Sequence, residues 1–160
     1  MLHALKDKFA TDWVIEVQGI NVADRASGAH GDIVVRSGDR IVLAAEVTER
    51  RVDRSRVVAT FNTKIGPAGL GDYVFFVQPA PEEDARRQVA RYFSQGHEIS
   101  FLDMRDWLLM MLPTIGREGR EAFNRRILEE LDAPQVPQAL RVAWNDHTSA
   151  VIEGDLSLGE

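Results

Sequence analysis

A chain of 160 residues, 44% apolar and 28% charged, is long enough for one domain with a real core, and this is the composition of an ordinary soluble protein. With no cysteine, disulfides and thiolate metal sites are excluded and an intracellular compartment fits; no apolar run approaches a membrane span, and the N-terminal MLHALKDKFATDW carries charges where a signal peptide needs an apolar centre, so a cytoplasmic protein without a membrane partner is expected. The net charge of −6 argues against a broad polyphosphate-binding surface but leaves room for a local one, because sixteen arginines accompany only three lysines and guanidinium grips phosphate with paired hydrogen bonds.

In chain order, Leu2, Leu5, Phe9 and Trp13 fall at helical spacing and predict an amphipathic helix over residues 2 to 13. VIEV then either continues the helix or forms a short extended piece, and residues 21 to 31, rich in small and turn-forming types, read as a loop long enough to need a purpose. DIVV and RIVLAAEV are β-branched runs on either side of RSGDR, whose Ser-Gly-Asp supplies the backbone freedom of a hairpin turn. From about Asp53, a helical face of Val57, Val58, Phe61 and Ile65 runs into GPAGLG, which is expected to stop it. That run is not a phosphate-binding loop, since no Lys-Ser/Thr follows it, and no nucleotide cofactor is expected.

DYVFFVQ is a continuous apolar run, as expected of a strand buried on both faces. PAPEED opens a helix whose inner face is marked by Ala85, Val89 and Phe93 and which ends at Gly96. HEISFL is a short strand, Asp103 caps a helix carrying Trp107, Leu108 and Met111 up to Pro113, and two further amphipathic helices follow around Phe123 and Trp144. Trp107, Phe123 and Trp144 are assigned to the core. The expected architecture is a mixed β-sheet flanked by helices, an α+β fold in a single domain, with a core over about residues 1 to 112 and a helical extension over about 114 to 160.

Two carboxylates stand out. Thirteen residues separate Asp32 from Glu46 with the turn midway, so a hairpin returns the second strand to the level where the first began. Glu46 follows IVLAA, where a carboxylate is costly unless a cation accompanies it. Two such groups repel one another, and a hard divalent cation such as Mg²⁺ relieves that repulsion, activates water and stabilises charge on a phosphate in flight. The plainer reading makes Asp32 a residue that follows a Gly turn and Glu46 a surface residue at a strand end. His3, His30, His97 and His147 show no ligand spacing, so zinc is not expected, and His30 is notable only for its proximity to Asp32. Arg50, Arg51, Arg54 and Arg56 cluster after Glu46, either as a solvated helix start or as phosphate contacts.

The run INVADRASGAHGDIVV, followed by IVLAAEVTER, resembles the type II restriction endonucleases of the SacI family within the PD-(D/E)XK nuclease superfamily. The resemblance rests on Asn21, Asp24, Ser27, Gly28, Gly31, Asp32 and Glu46, covers about residues 14 to 65 and extends through GDYVFFVQ. It implies a four-stranded mixed sheet flanked by helices and metal-dependent hydrolysis of phosphodiesters in double-stranded DNA, with Mg²⁺ or Mn²⁺ as cofactor and a homodimer if the cut is palindromic. Residue by residue, Asp32 and Glu46 correspond to the metal ligands and the carbonyl of Val47 completes the set. Glu16 corresponds to an extra acidic residue that many members place on the first core helix. Asn21, Asp24 and Ser27 either touch substrate or stiffen their loop, and Arg50 and Arg51 are candidate DNA contacts.

One position departs from the superfamily pattern. Thr48 stands where a Lys orients the attacking water and steadies negative charge. Either a basic group comes from elsewhere, with Lys64, Arg50 and Arg51 as candidates, or the metal suffices with Thr48 holding a water, or the site is silent. In the last case the chain is a truncated or inactive nuclease-fold module for DNA binding or assembly.

Overall fold

A computed structural model describes residues 1–17 and 30–154, so Asn21, Asp24 and Ser27 lie outside the described residues. The first helix, α1 (Leu2–Phe9), buries Ala4 and Leu5 and stops at Ala10, whose left-handed backbone (φ 49°) ends the helix before the predicted limit. Phe9 is consequently exposed, and Trp13 lies outside the helix.

The VIEV stretch takes the extended alternative and forms β1 (Val14–Val17), with Ile15 opposite Val35 and Glu16 opposite Val34 of the antiparallel β2 (Ile33–Ser37). Strand β3 (Arg40–Thr48) follows, and its turn uses the positive φ of Gly38 (57°) as a two-residue hairpin requires. In the β2–β3 register Ile33 faces Ala45 and Val34 faces Ala44, and a bulge between Val35 and Arg36 shifts it nearer the turn. Strands β4 (Asp72–Val77) and β5 (Glu98–Asp103) join in parallel, giving the order β1-β2-β3-β4-β5. The mixed sheet is as expected but has five strands rather than four, the fifth being β1 at the edge.

Between β3 and β4 the chain is helical without a break from Arg54 to Ala68: α2 (Arg54–Thr60), a π turn (Phe61–Ile65) and α3 (Gly66–Ala68). GPAGLG thus does not stop the helix at its first glycine. Pro67 falls in the first turn of α3, and the stop comes at Gly69 with φ 62°. Helix α4 (Glu83–Phe93) crosses from β4 to β5 and packs on α2. It buries Ala85, Gln88 and Tyr92 and packs Val89 against the core, so Ala85 and Val89 lie on the inner face as predicted, whereas Phe93 is exposed and Tyr92 takes its place.

The core lies between the sheet and this helical layer: Ala44, Tyr73, Phe75 and Val77 from the strands, Val57 and Ile65 from the α2 run, Ala85 and Tyr92 from α4. On the other face Phe76 meets Trp107 of α5 (Met104–Thr114) with ring centroids 4.7 Å apart. Asp103 caps α5 by accepting from the Asp106 N–H at 2.9 Å, and the helix carries Pro113 inside it. Two more helices follow, α6 (Gly116–Leu131) and α7 (Gln138–Glu153). The chain divides into two compact units, Met1–Arg120 and Glu121–Glu160. Trp107, Phe123 and Trp144 are half-buried rather than core residues, and neither α6 nor α7 fully buries a side chain among the described residues.

Candidate functional site

The site begins where β2 comes up against β3. A Cβ on Gly31 would lie 2.5 Å from the Ala45 carbonyl oxygen, so only glycine lets the chain pass this close. That approach delivers Asp32 beside the end of β3, where its Oδ2 accepts from the Val47 N–H at 2.8 Å. One step of the register beyond the Ile33–Ala45 pair, Asp32 stands across from Glu46. Its second oxygen, Oδ1, accepts no hydrogen bond among the described residues.

Glu46 shares one face of β3 with Ala44 and Thr48 and is in register with Phe75 of β4. This places it on the helix-covered face, with 7% of its surface exposed. An ionised carboxylate survives there only with cationic, hydrogen-bonded partners, and the following helix supplies two. Arg56 Nε donates to Oε1 at 3.0 Å and Nη2 donates to the same oxygen. Lys64 Nζ is 3.5 Å from Oε2, with its side chain 13% exposed.

Local helix structure explains how both cations arrive. Asp53 is the N-cap of α2, accepting from the Arg56 N–H at 2.8 Å while the Ser55 hydroxyl donates to the same oxygen at 2.8 Å. These two donors, the backbone N–H first, hold the Asp53 carboxyl below its ordinary value. Arg56 and Lys64 are eight residues apart, about 80° out of line around an uninterrupted α-helix; the wider π turn that contains Lys64 reduces the offset. Phe61 anchors that turn by stacking on Tyr92 at 3.8 Å and meeting the His97 ring edge-on at 5.0 Å.

The other candidates go elsewhere. Thr48 is buried and its hydroxyl accepts from the Arg50 N–H at 3.1 Å, which makes it a stiffener of the turn after β3. Arg51 pairs with Glu82 at 3.5 Å on the surface, Arg54 Nε donates to Gln88 at 3.2 Å, and Arg50 is exposed, so the four arginines do not form one patch. Glu16 sits on a strand rather than a core helix and pairs with Arg36 at 3.3 Å. Val47 projects an exposed side chain. No group of three or more His, Asp or Glu side chains capable of holding a metal occurs among the described residues.

The residue that sequence reasoning passed over is the Arg56 partner of Glu46. Its signal was present but weak: a position three residues after a capping Asp, within a cluster of four arginines that nothing in composition ranks.

No helix among the described residues is long and apolar enough to cross a membrane. No curated protein matches the chain. Residues 1–78, however, match the family described as the SacI restriction endonuclease C-terminal domain. The matched span ends with β4 and contains Asp32, Glu46, Arg56 and Lys64. Over residues 1–78, just under half of its 160 residues, the chain is thus similar to the SacI restriction endonuclease C-terminal domain family.

Proposed function

We propose that this chain is a restriction-type deoxyribonuclease that hydrolyses phosphodiester bonds in double-stranded DNA, with Mg²⁺ or Mn²⁺ held by Asp32 and Glu46. The observation that carries the reading is the placement of Lys64 against Glu46, at 3.5 Å, in a chain whose β3 strand lacks the lysine of the superfamily pattern.

The donor set suits a hard divalent ion in kind, since it consists of carboxylate oxygens and, by analogy with the superfamily, the Val47 carbonyl. Asp32 Oδ1 has no hydrogen-bond partner among the described residues. Glu46 presents Oε2, because Oε1 is committed to Arg56. The chemistry a bound ion supplies here is activation of water and stabilisation of charge on the scissile phosphate. Lys64 then takes over the work of the absent lysine, carrying positive charge beside Glu46 where negative charge builds up on the substrate. The Val47 N–H fixes the Asp32 carboxylate so that it need not reorganise during the reaction. Palindromic cutting needs two such sites about a two-fold axis, so a homodimer belongs to the proposal.

Asp32→Ala and Glu46→Ala are expected to abolish cleavage of plasmid DNA in Mg²⁺ or Mn²⁺ while each variant still unfolds cooperatively. Lys64→Ala is expected to fold and to cut about 100-fold more slowly or worse. Retained cutting by both acidic variants ends the metal reading, and full activity in Lys64→Ala removes that lysine from the mechanism. One observation favours a second reading, a catalytically silent DNA-binding module: both Glu46 oxygens already have cationic partners. Failure of the wild-type chain to bind Mn²⁺ in calorimetry, together with an intact plasmid, would select it.

A further inference from the structure

Glu46 has two cationic partners, and they hold it differently. Arg56 brings Nε, at 3.0 Å, and Nη2 to one oxygen, whereas Lys64 approaches the other at 3.5 Å, which is long for a charge-assisted hydrogen bond. Two donors on a rigid planar group fix the direction of a carboxylate as well as its distance, and one ammonium at the longer range fixes neither. The base of Arg56 is itself tied down. Its N–H is held by Asp53, and Asp53 by Ser55, so a path of hydrogen bonds runs from the cap of α2 to Glu46.

Resting on the reading of Glu46 as a metal ligand, we infer that Arg56 is a positioning residue: by holding Oε1 it fixes the carboxylate rotamer and presents Oε2 as the ligating atom. Arg56 therefore leaves the group of arginines offered to DNA phosphates, because its guanidinium faces a carboxylate of its own chain. Lys64 reaches the other oxygen with a single ammonium at 3.5 Å, so the two-point hold on the carboxylate is that of Arg56.

The test uses the full chain with Mn²⁺ alone as probe. Calorimetry is carried out on wild type, Arg56→Gln, Arg56→Lys and Lys64→Gln, with kcat and KM measured on plasmid DNA. Arg56→Gln is expected to weaken Mn²⁺ binding about tenfold or more, in the range found when a group supporting a ligand is removed, and to lower kcat with little change in KM. Arg56→Lys keeps the charge and recovers only part of the Mn²⁺ affinity, because one ammonium lacks the two-point hold; this variant carries the measurement if Arg56→Gln does not fold. Lys64→Gln removes a cation that competes for Oε2 and is expected not to weaken Mn²⁺ binding, in contrast to Arg56→Gln. Unchanged Mn²⁺ affinity in Arg56→Gln, or full recovery in Arg56→Lys, overturns the inference. If the wild type neither binds Mn²⁺ nor cuts, the nuclease reading has failed separately, and the Arg56–Glu46 hold is decided by a double-mutant cycle of Arg56→Gln and Glu46→Gln on metal-free unfolding. A strong coupling then supports the hold, and a coupling near zero overturns it.

Discussion

Glu46 illustrates how much one side chain depends on its surroundings. Lying 7% exposed among Ala44, Phe75 and Thr48, it would be a buried charge without a counter-charge, costly to the fold, if Arg56 and Lys64 were absent. Its neighbour Asp32 depends on a residue with no side chain. Because a Cβ at position 31 would meet the Ala45 carbonyl at 2.5 Å, Gly31→Ala must push β2 away from β3 or twist its start. Overpacking of this kind costs about 1–3 kcal/mol, and the same displacement lengthens the Asp32 to Val47 hydrogen bond. Gly31→Ala is therefore expected to lower stability by that amount in chemical denaturation and to lose most cleavage. A variant as stable as wild type would show that the close approach is dispensable.

At the scale of elements, the helical run after β3 determines which cations reach the site. Its start is set by Asp53, whose carboxyl is held below its ordinary value by the Arg56 N–H and the Ser55 hydroxyl. A depressed carboxylate pKa stabilises the folded state above the ordinary value of 3.8, and that contribution is lost as pH falls below it through the folded value. Asp53→Asn keeps a neutral cap and removes the titration. Wild type is expected to melt above Asp53→Asn near neutral pH, with the two converging in acid; a gap that widens as pH falls would contradict the assignment. The middle of the run is the π turn, and nothing in Phe61, Asn62 or Thr63 announces it in the sequence. It is sustained by contacts distant in the chain, the stacking of Phe61 on Tyr92 and the edge of His97, which offset the poorer hydrogen-bond geometry of a π segment.

For the molecule as a whole, a net charge of −6 means that any grip on DNA must be local. Of the four arginines after β3, Arg56 and Arg54 are engaged with Glu46 and Gln88, which leaves Arg50 and Arg51 as the ones presented outward, Arg51 loosely paired with Glu82. If these two contact phosphates, replacing both with Ala should weaken DNA binding without regard to sequence and reduce the slope of log K against log salt by about 1–2. Fluorescence anisotropy across a salt series measures this, and an unchanged slope would place the DNA contacts elsewhere.

The order of elements from the hairpin onward, the Ser-Gly-Asp turn, the apolar β4 and the Asp103 cap were legible in the sequence, because period, turn chemistry and capping are properties of residues near one another in the chain. That Asp32 reaches the end of β3, where it meets the Val47 N–H, was legible for the same reason, since a short hairpin has one natural register. What the tertiary structure alone decided is which face of β3 Glu46 points to and which cations meet it there. Arg56 and Lys64 lie ten and eighteen residues beyond Glu46, and their convergence depends on the phase of a helix that a π turn resets and on a crossover that lays it over the sheet. Likewise, β1 became a fifth strand instead of more helix because β2 offered it an unpaired edge, a backbone partner that VIEV alone does not specify.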